Sequence, residues 1–407
     1  MIELKIEFLP AINYSLVNNR IGICQSIEIR NKSNVGLRDV IIECGGDFFN
    51  TTRSAATDVI KARSSVRLQG IDLQPSPEKV ASITEKTLTT FNIKVIAKEN
   101  NGEAAEVHSQ DYQIEVMPYN QWLGTSILPQ CLASFVIPNH PAINNVIVKA
   151  AQILKELSNS SQFTEYQTGN TTEVRKQVAA VYGALHAESI VYRSMPASYE
   201  DVGQRITLPH QVLASKLGNC IELTLLFASV LESIGINSGV IIQQGHAYLA
   251  VWLVDDCCQH SVCDDPSYVE KKCSEGIDEM LVLECTRITS ENTSFEEAQR
   301  LAEKNLADLS MFEMFIDIRR CRLERILPLP FKIQDNGAWE IDTAGVEHDE
   351  CVLNVKEHSR YDLSKVMESK RELTKMDLWE RKLLDFSLRN SMLNLYLRQK
   401  AIQFISF

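Results

Sequence analysis

The sequence predicts an α+β protein, and three observations lead to this prediction. Short segments with alternating apolar and polar residues fill residues 1–116, as in β-strands. Residues 141–330 place apolar residues at helical spacing and then form strand-like segments, which indicates an α+β domain. Residues 371–407 begin with helical spacing again. A chain of 407 residues is also too long to fold around one ordinary hydrophobic core, so we expect separate domains.

The N-terminal region, residues 1–116, is predicted to form an immunoglobulin-like β-sandwich. Polar or glycine-containing turns separate its strand-like segments, and several short strands at such spacing are typical of a sandwich. Modules of this kind usually bind or brace other domains, and this region contains no catalytic pattern. The predicted strands are LKIEFL, SIEIRN, DVIIEC, SSVRLQGIDL, TTFNIKVIAK and QDYQIEVMPY.

The second region begins with a connector. Residues 117–140 carry three prolines and little periodicity, so we interpret them as a connector that packs on the next domain. Within the domain at residues 141–330, Thr171 or Thr172 is a candidate N-cap of the second helix. The predicted elements are the helices AINNVIVKAAQILKEL, TTEVRKQVAAVYGALHAE and LGNCIELTLLFASVLESIGI, the strands SGVIIQQ, GHAYLAVWLV and MLVLECTRIT, and the helix SFEEAQRLAEKNLADL.

The C-terminal region is predicted to contain a hairpin, a linker and a helix. Asn336 and Gly337 form a favourable two-residue turn, so residues 331–370 are interpreted as a hairpin followed by an irregular linker. Residues 371–407 predict an amphipathic helix that ends on apolar residues. We therefore expect the chain to continue in a longer protein, with a further domain after this helix.

Composition and charge exclude several classes of function. The formal net charge is −12 and the pI about 5.3, which argues against a nucleic-acid-binding surface. No phosphate-binding loop is present, so this chain is not expected to hydrolyse ATP. The sequence shows neither a signal peptide nor an apolar run of about 18 residues. We expect a bacterial cytoplasmic protein that does not contact membranes, and its 11 cysteines as reduced thiols.

Cys220 lies at the start of an almost wholly apolar helix. Gly218 and Asn219 can form a tight turn, with Asn219 as the N-cap, and Gly235 suits a left-handed C-cap. Polar residues form only a narrow strip, so the helix is predicted to be central and buried; they are Glu222, Ser229 and Ser233. The unpaired N–H groups and dipole of a first turn favour a thiolate, which makes Cys220 a candidate nucleophile. A small buried core residue is the alternative interpretation.

His246 and Glu284 are the candidate partners of this thiol. His246 opens a strand that is apolar on both faces, where a histidine needs hydrogen-bonding partners. Its rivals are His186 and His210, and a lone core histidine is more often a packing residue. Glu284 is predicted within an apolar strand, where an unpaired carboxylate is costly, although a glutamate at a strand edge facing solvent is the alternative.

The segments GNCIELTLLFASVLESIGINSGVII, GHAYLAVWL and LECT together resemble the transglutaminase-like cysteine-hydrolase superfamily. The resemblance implies a papain-like α+β fold without a cofactor, in which Cys220 is the nucleophile, His246 the base and Glu284 the acid. Such a site would hydrolyse peptide or amide bonds or transfer their acyl groups. The departure from the family pattern is glutamate in place of aspartate. The alternative acids lie in the following insertion and are Asp255, Asp256, Asp264 and Asp265.

A narrower resemblance covers more of the chain. The segments LASFVIPNHPAI, DIRRCRLERILPLP and LWERKLLDFSLRNSMLNL, with the residues around Cys220, resemble the N-terminal region of large bacterial superfamily-one helicase-like proteins associated with anti-phage defence. This resemblance implies a helicase region, in some members with a nuclease, beyond Phe407. It also allows a second function, namely an inactive sensor or scaffold that binds a protein partner and regulates the attached helicase.

Two further groups of residues are candidates for the site. The cleft is predicted to be lined by Gln204, Arg205, Asn219 and Gly245, although Arg205 and Gln204 can also simply brace it. The polar insertion contains possible zinc ligands but lacks paired C-x-x-C spacing, so we interpret it as a solvated loop and expect no metal. These ligands are Cys257, Cys258, His260, Cys263 and Cys273.

Overall fold

The computed structural model describes residues 2–99, 102–194 and 203–330, together with the backbone of residues 332–333 and 339–340. Helices and several β-sheets are mixed along the chain, which confirms the predicted α+β class. Two mainly antiparallel sheets are formed near the N-terminus, and a larger group of helices packs on a third sheet further along the chain.

The N-terminal strands form a three-stranded sheet of order β1-β3-β6 and a five-stranded sheet of order β2-β8-β7-β4-β5. Side chains alternate between buried and exposed along β7, as a half-buried strand requires. Phe8 of β1 packs edge-on against Phe91 of β7 at 5.1 Å, so the two sheets share an apolar layer. The elements are β1 (Ile2–Phe8), β2 (Ala11–Ile12), α1 (Tyr14–Asn18), β3 (Cys24–Asn31), β4 (Leu37–Gly46), β5 (Phe49–Ile60), β6 (Ser65–Gln69), α2 (Pro77–Ala81), β7 (Thr87–Glu99) and β8 (Ala104–Val116).

The sequence interpretation missed β5 and the two short helices. β5 lies at the edge of the five-stranded sheet, and only its two end residues, Phe49 and Ile60, are buried. An edge strand that faces solvent tolerates polar residues, so the segment NTTRSAATD gave no apolar alternation to detect. Each helix is only five residues long, which is too short for a helical pattern to be visible.

Residues 117–140, interpreted as a connector, are mostly buried. They contain the strand β9 (Gln121–Trp122) and a 3-10 helix at Pro129–Phe135. The hydroxyls of Ser134 and Ser15 lie 2.8 Å apart, which ties the 3-10 helix to α1. On its other side, the Ile137 N–H donates to the hydroxyl of Ser229 at 2.9 Å. This segment therefore links α1 to the helix that contains Ser229.

The third sheet has the order β15-β17-β13-β14-β16, and all its neighbouring strands are antiparallel. Its strand β17 was missed because its apolar residues run on without a period of two, as in a strand covered on both faces. The elements are α3 (Pro141–Ser158), α4 (Thr171–His186), β10 (Val191–Tyr192), β11 (Gln204–Arg205), α5 (Pro209–Ser215), β12 (Leu217–Gly218), α6 (Cys220–Ser233), β13 (Ser238–Gln243), β14 (His246–Trp252), β15 (Val262–Cys263), α7 (Pro266–Cys273), β16 (Met280–Leu283), α8 (Phe295–Ala307), β17 (Phe312–Asp317) and α9 (Ile318–Leu323).

Helix α6 is central, as its sequence predicted, because α3, α4, α5 and the strands β13 and β14 all pack against it. Two residues of its polar strip are buried too, since Glu222 is 1% exposed and Ser229 is fully buried, whereas Ser233 in the last turn is only partly buried. Gly235 follows the helix at φ +80°, the left-handed conformation that favours glycine. For α4 the predicted N-cap was wrong by one or two residues, because Asn170 accepts the capping bond from the Thr172 N–H at 2.9 Å.

Beyond residue 330 the structure describes only two short strands. β18 (Lys332–Ile333) and β19 (Trp339–Glu340) pair antiparallel, the pairing a hairpin has. The predicted turn at Asn336 and Gly337, the linker to residue 370 and the helix at residues 371–407 lie outside the described residues.

Candidate active site

Cys220 is the first residue of α6. The Asn219 side chain accepts from the Glu222 N–H at 3.1 Å, and the Glu222 carboxylate accepts from the Asn219 N–H at 2.9 Å. This reciprocal pair is a capping box, and it fixes the turn that presents the thiol. The thiol therefore lies where the N-terminal end of the helix favours negative charge. Cys220 is 7% exposed.

His246 is the first residue of β14 and follows the tight turn from β13. Gly245 in this turn has φ +71°, which a glycine adopts without strain. The Thr224 hydroxyl, one helical turn after Cys220, donates to the Cys220 carbonyl at 2.8 Å and lies 3.4 Å from the Ala247 carbonyl. These contacts hold the start of α6 against the start of β14. The ring of His246 is hydrogen-bonded to the side chains of both Cys220 and Glu284.

Glu284 follows β16, and its carboxylate is held by hydrogen bonds on both oxygens. Oε1 accepts from the Thr286 N–H at 3.1 Å and from the Thr286 hydroxyl at 2.7 Å. Oε2 lies 2.7 Å from Nε2 of His246 and accepts from Nδ2 of Asn305 at 3.2 Å. The predicted position within a strand was wrong, because β16 ends at Leu283 and Glu284 caps a 3-10 helix at Cys285–Thr289.

The charged forms of His246 and Glu284 stabilise each other. Burial raises the pKa of Glu284, but the hydrogen bonds and charge of His246 and the bonds from Thr286 outweigh it, and the pKa is lowered overall. Burial lowers the pKa of His246, but its hydrogen bonds to Cys220 and Glu284 and their charges outweigh this effect and raise the pKa to about 10. The ring thus carries a proton at neutral pH, and an imidazolium favours a facing thiolate. Since Nε2 contacts Glu284, Nδ1 is the ring nitrogen left for the thiol.

Tyr192 also contacts the thiol, and the sequence interpretation missed it. β10 pairs in parallel with β12, so that Tyr192 lies opposite Gly218, two residues before Cys220. Its hydroxyl is hydrogen-bonded to the Cys220 side chain and backbone, while 42% of the residue stays exposed. Burial and the nearby Cys220 raise the pKa of Tyr192. Strands of two residues leave no periodic signal, so this contact could not be predicted from the sequence.

The four predicted cleft residues have different positions. Asn219 caps α6 and Gly245 forms the turn before His246, so each adjoins a member of the site. Gln204 is buried in β11, which pairs with β9. Arg205 reaches the N-terminal region instead, where its guanidinium donates to the Glu85 carboxylate at 3.2 Å and to the Thr84 carbonyl at 2.8 Å.

Three of the four alternative acids have other partners among the described residues, and Asp264 is exposed. Asp255 accepts from the Asn237 amide at 3.2 Å, Asp256 from the Cys257 N–H at 2.8 Å, and Asp265 caps α7. The insertion is more than the solvated loop that we predicted. It contains β15 and α7, and its Cys258 N–H donates to the buried Asp317 at 2.9 Å.

The rival histidines lie in other contacts. Nε2 of His186 is 2.9 Å from the Ser290 carbonyl, and His210 stacks on His140 at 4.2 Å. Within the described ranges, no three or more His, Cys, Asp or Glu side chains are grouped as a metal ion requires.

One comparison with known families bears on these contacts. Residues 161–264 match the Transglutaminase-like superfamily. The matched range includes Cys220 and His246, whereas Glu284 and Asn305 lie beyond it. The chain therefore contains a transglutaminase-like domain, as the sequence resemblance implied. No curated protein matches the chain. In the part of the chain that the structure describes, no helix has both the length and the apolar character needed to cross a membrane.

Proposed function

We propose that the transglutaminase-like domain is a cysteine hydrolase or acyltransferase that acts on peptide or amide bonds. The observation that supports this proposal is the position of His246, whose ring is hydrogen-bonded to both Cys220 and Glu284. Thiol, imidazole and carboxylate in this order can supply a nucleophile, a proton carrier and a group that orients the carrier. Two further features support the proposal. The capping box fixes the position of the Cys220 thiol, and the N-terminal end of α6 favours its thiolate form.

The proposed reaction has two stages. The Cys220 thiolate attacks the substrate carbonyl, and the backbone N–H of Cys220 donates to the oxygen as it becomes negative. The His246 imidazolium then gives its proton to the leaving amine, and a thioester remains on Cys220. In the second stage His246 removes a proton from water or from an acceptor amine, which attacks the thioester and releases the acid or the new amide. Glu284 holds the ring orientation throughout and stabilises its positive charge.

The proposed reaction requires the Tyr192 hydroxyl to move away from Cys220. This hydroxyl is hydrogen-bonded to the backbone and the thiol of Cys220, where the substrate carbonyl has to bind. In the proposed mechanism, substrate binding displaces this hydroxyl, and the carbonyl oxygen takes over the N–H. Because Tyr192 is partly exposed, its side chain has room to move outwards.

A second candidate function is a sensor or scaffold without catalysis. The observation in its favour is the cover on the thiol, since Cys220 is only 7% exposed and Tyr192 contacts it. In this case the N-terminal sheets, as an immunoglobulin-like sandwich, would contact a partner, and the domain would regulate an attached helicase. The helicase attachment, the anti-phage role and the cytoplasmic location stay predictions from the sequence.

An acylation experiment separates the two functions. The full chain is incubated with an activated ester of a short peptide, and its intact mass is followed over time. For an enzyme we expect an acyl group on Cys220 that disappears with water and faster with an added primary amine. The control Cys220→Ser should acquire no such rapidly turning-over acyl group. A stable adduct that is never released, or no adduct at Cys220, would favour the scaffold.

A further inference from the structure

Helix α8 holds Glu284 at two points. The Glu284 N–H donates to the Ala298 carbonyl at 3.2 Å, and the Asn305 amide donates to Oε2 of the Glu284 carboxylate at 3.2 Å. Residues 298, 302 and 305 are spaced by four and three, so they lie on one face of the helix. Ala298 and Ala302 on this face are fully buried, which brings the helix close to β16. Asn305 is thus presented to the carboxylate from a rigid element.

The oxygen that Asn305 contacts is the one that faces His246. Thr286 supplies both of the hydrogen bonds to Oε1, whereas Oε2 is shared by His246 and Asn305. A glutamate has one more rotatable bond than the aspartate usual at this position of the superfamily, so its carboxylate needs more anchoring to keep one orientation. The amide of Asn305 provides that anchor without adding charge, because it only donates.

From these contacts we infer that Asn305 is a positioning residue of the site, which fixes the Glu284 carboxylate against the ring of His246. This inference rests on the proposed function for its catalytic meaning. The positioning role also affects the reactivity of the Cys220 thiol directly. This reactivity can be measured whether or not the domain turns over a substrate. Asn305 acts through Glu284 and does not itself touch the reacting atoms.

The test compares three variants of the full chain. Asn305→Leu keeps the size of the side chain and removes the donor, and Asn305→Asp replaces the donor by a second carboxylate. Lys304→Ala is the matched control, because Lys304 is the exposed neighbour on the same helix. The measurement is the rate constant for alkylation of Cys220 by iodoacetamide across the pH range, with the Tm of each variant recorded beside it.

We expect Asn305→Leu to alkylate roughly tenfold more slowly than the unaltered chain at neutral pH, since a hydrogen bond to a charged group is lost. The deficit of Asn305→Asp should shrink as the pH falls, because its carboxyl then gains a proton that it can donate. Lys304→Ala should keep the original rate. Equal rates in all variants over the whole pH range, or the same loss in Lys304→Ala, would overturn the inference.

A second measurement examines the ring of His246 directly, at a temperature well below the Tm of each variant. The pKa of the His246 ring is measured by NMR in chains labelled with nitrogen-15 histidine. We expect it to be lower in Asn305→Leu than in the unaltered chain, because Glu284 then faces the ring less well. An unchanged pKa would overturn the positioning role. If the acylation experiment finds no turnover while Asn305→Leu still slows alkylation, the proposed enzyme fails and the positioning role stands.

Discussion

Nε2 of His246 lies 2.7 Å from Oε2 of Glu284, and this contact joins two residues that are 38 positions apart in the chain. The ring begins β14, and the carboxylate follows its neighbouring strand β16. Both groups are largely buried, with 25% of the His246 side chain and 6% of the Glu284 side chain exposed. When one partner of a buried charge pair is removed, the other is left as an uncompensated buried charge. A substitution of either residue therefore tests the role of both.

Glu284→Gln should slow alkylation of Cys220 by roughly tenfold to a hundredfold at neutral pH. The amide keeps the shape of the carboxylate but loses the charge that stabilises the protonated ring. Asp265→Asn is the matched control, because Asp265 lies in the insertion and caps α7, which an asparagine also does. Unchanged alkylation in Glu284→Gln, or an equal loss in Asp265→Asn, would show that Glu284 does not support the ring.

Cys220 should be the most reactive thiol of the described residues at neutral pH. Burial raises the pKa of each of the nine other described cysteines, whereas Cys220 faces a protonated His246. Brief labelling with limiting iodoacetamide, followed by mass spectrometry of peptides, measures the order of reaction. The denatured chain is the control, since all thiols should then react alike. Labelling of Cys257 or Cys263 ahead of Cys220 would contradict the prediction.

The contribution of His246 to stability should decline as the pH rises. Its pKa is raised from 6.5 to about 10 in the folded protein, so the folded state holds this proton more tightly. The stabilisation is therefore complete below about pH 6.5 and is lost as the pH rises through about 10. Urea unfolding of the full chain and of His246→Gln measures the difference in unfolding free energy at several pH values. A difference that stays constant across this window would exclude the raised pKa.

Tyr192→Phe should accelerate acylation of Cys220 by an activated ester, by roughly fivefold. The substitution removes the hydroxyl that contacts the Cys220 thiol and backbone but keeps the aromatic ring. Tyr119→Phe is the control, because it removes a phenolic hydroxyl that does not contact Cys220. The Tyr119 hydroxyl accepts a long hydrogen bond of 3.4 Å from the Gln211 amide. Slower acylation in Tyr192→Phe would mean that the hydroxyl assists the reaction and does not block the carbonyl position.

The parts of the site that the sequence predicted are those with a strong local signal. Gly218 and Asn219 before an apolar run indicated both the turn and the cap of α6, and these depend only on neighbouring residues. The strand that begins at His246 was visible because it is long and apolar. The contact of Glu284 with His246 was predicted from the cost of an unpaired buried carboxylate, and the structure places the two groups together.

The remaining features depend on tertiary contacts that leave no local pattern. Glu284 leaves its strand because Thr286 can bond the carboxylate and start a 3-10 helix, which a count of alternating residues does not reveal. Tyr192 is positioned by a two-residue strand, and Asn305 by the approach of a whole helix. Arg205 was expected near the cleft, but its partner is Glu85 in the N-terminal region, 120 residues away. Such long-range partners are not encoded in the spacing around either residue.

Glu222→Gln should destabilise the protein by about 2 kcal/mol, although the residue is two positions from the thiol and has no role in the reaction. Its carboxylate is 1% exposed and accepts from the Asn219 N–H at 2.9 Å, from the Thr207 N–H at 2.8 Å and from the Arg193 guanidinium at 3.2 Å.

Every partner of this carboxylate is a donor, so an amide at this position places its NH₂ group against another donor in either orientation. Glu173→Gln is the matched control, because Glu173 is also in a first helical turn but forms a half-exposed ion pair with Lys176. Urea unfolding should show a loss for Glu222→Gln and a change below about 0.5 kcal/mol for the control. Equal stability of the two variants would mean that the segment of Arg193 and the start of α6 do not depend on this buried carboxylate.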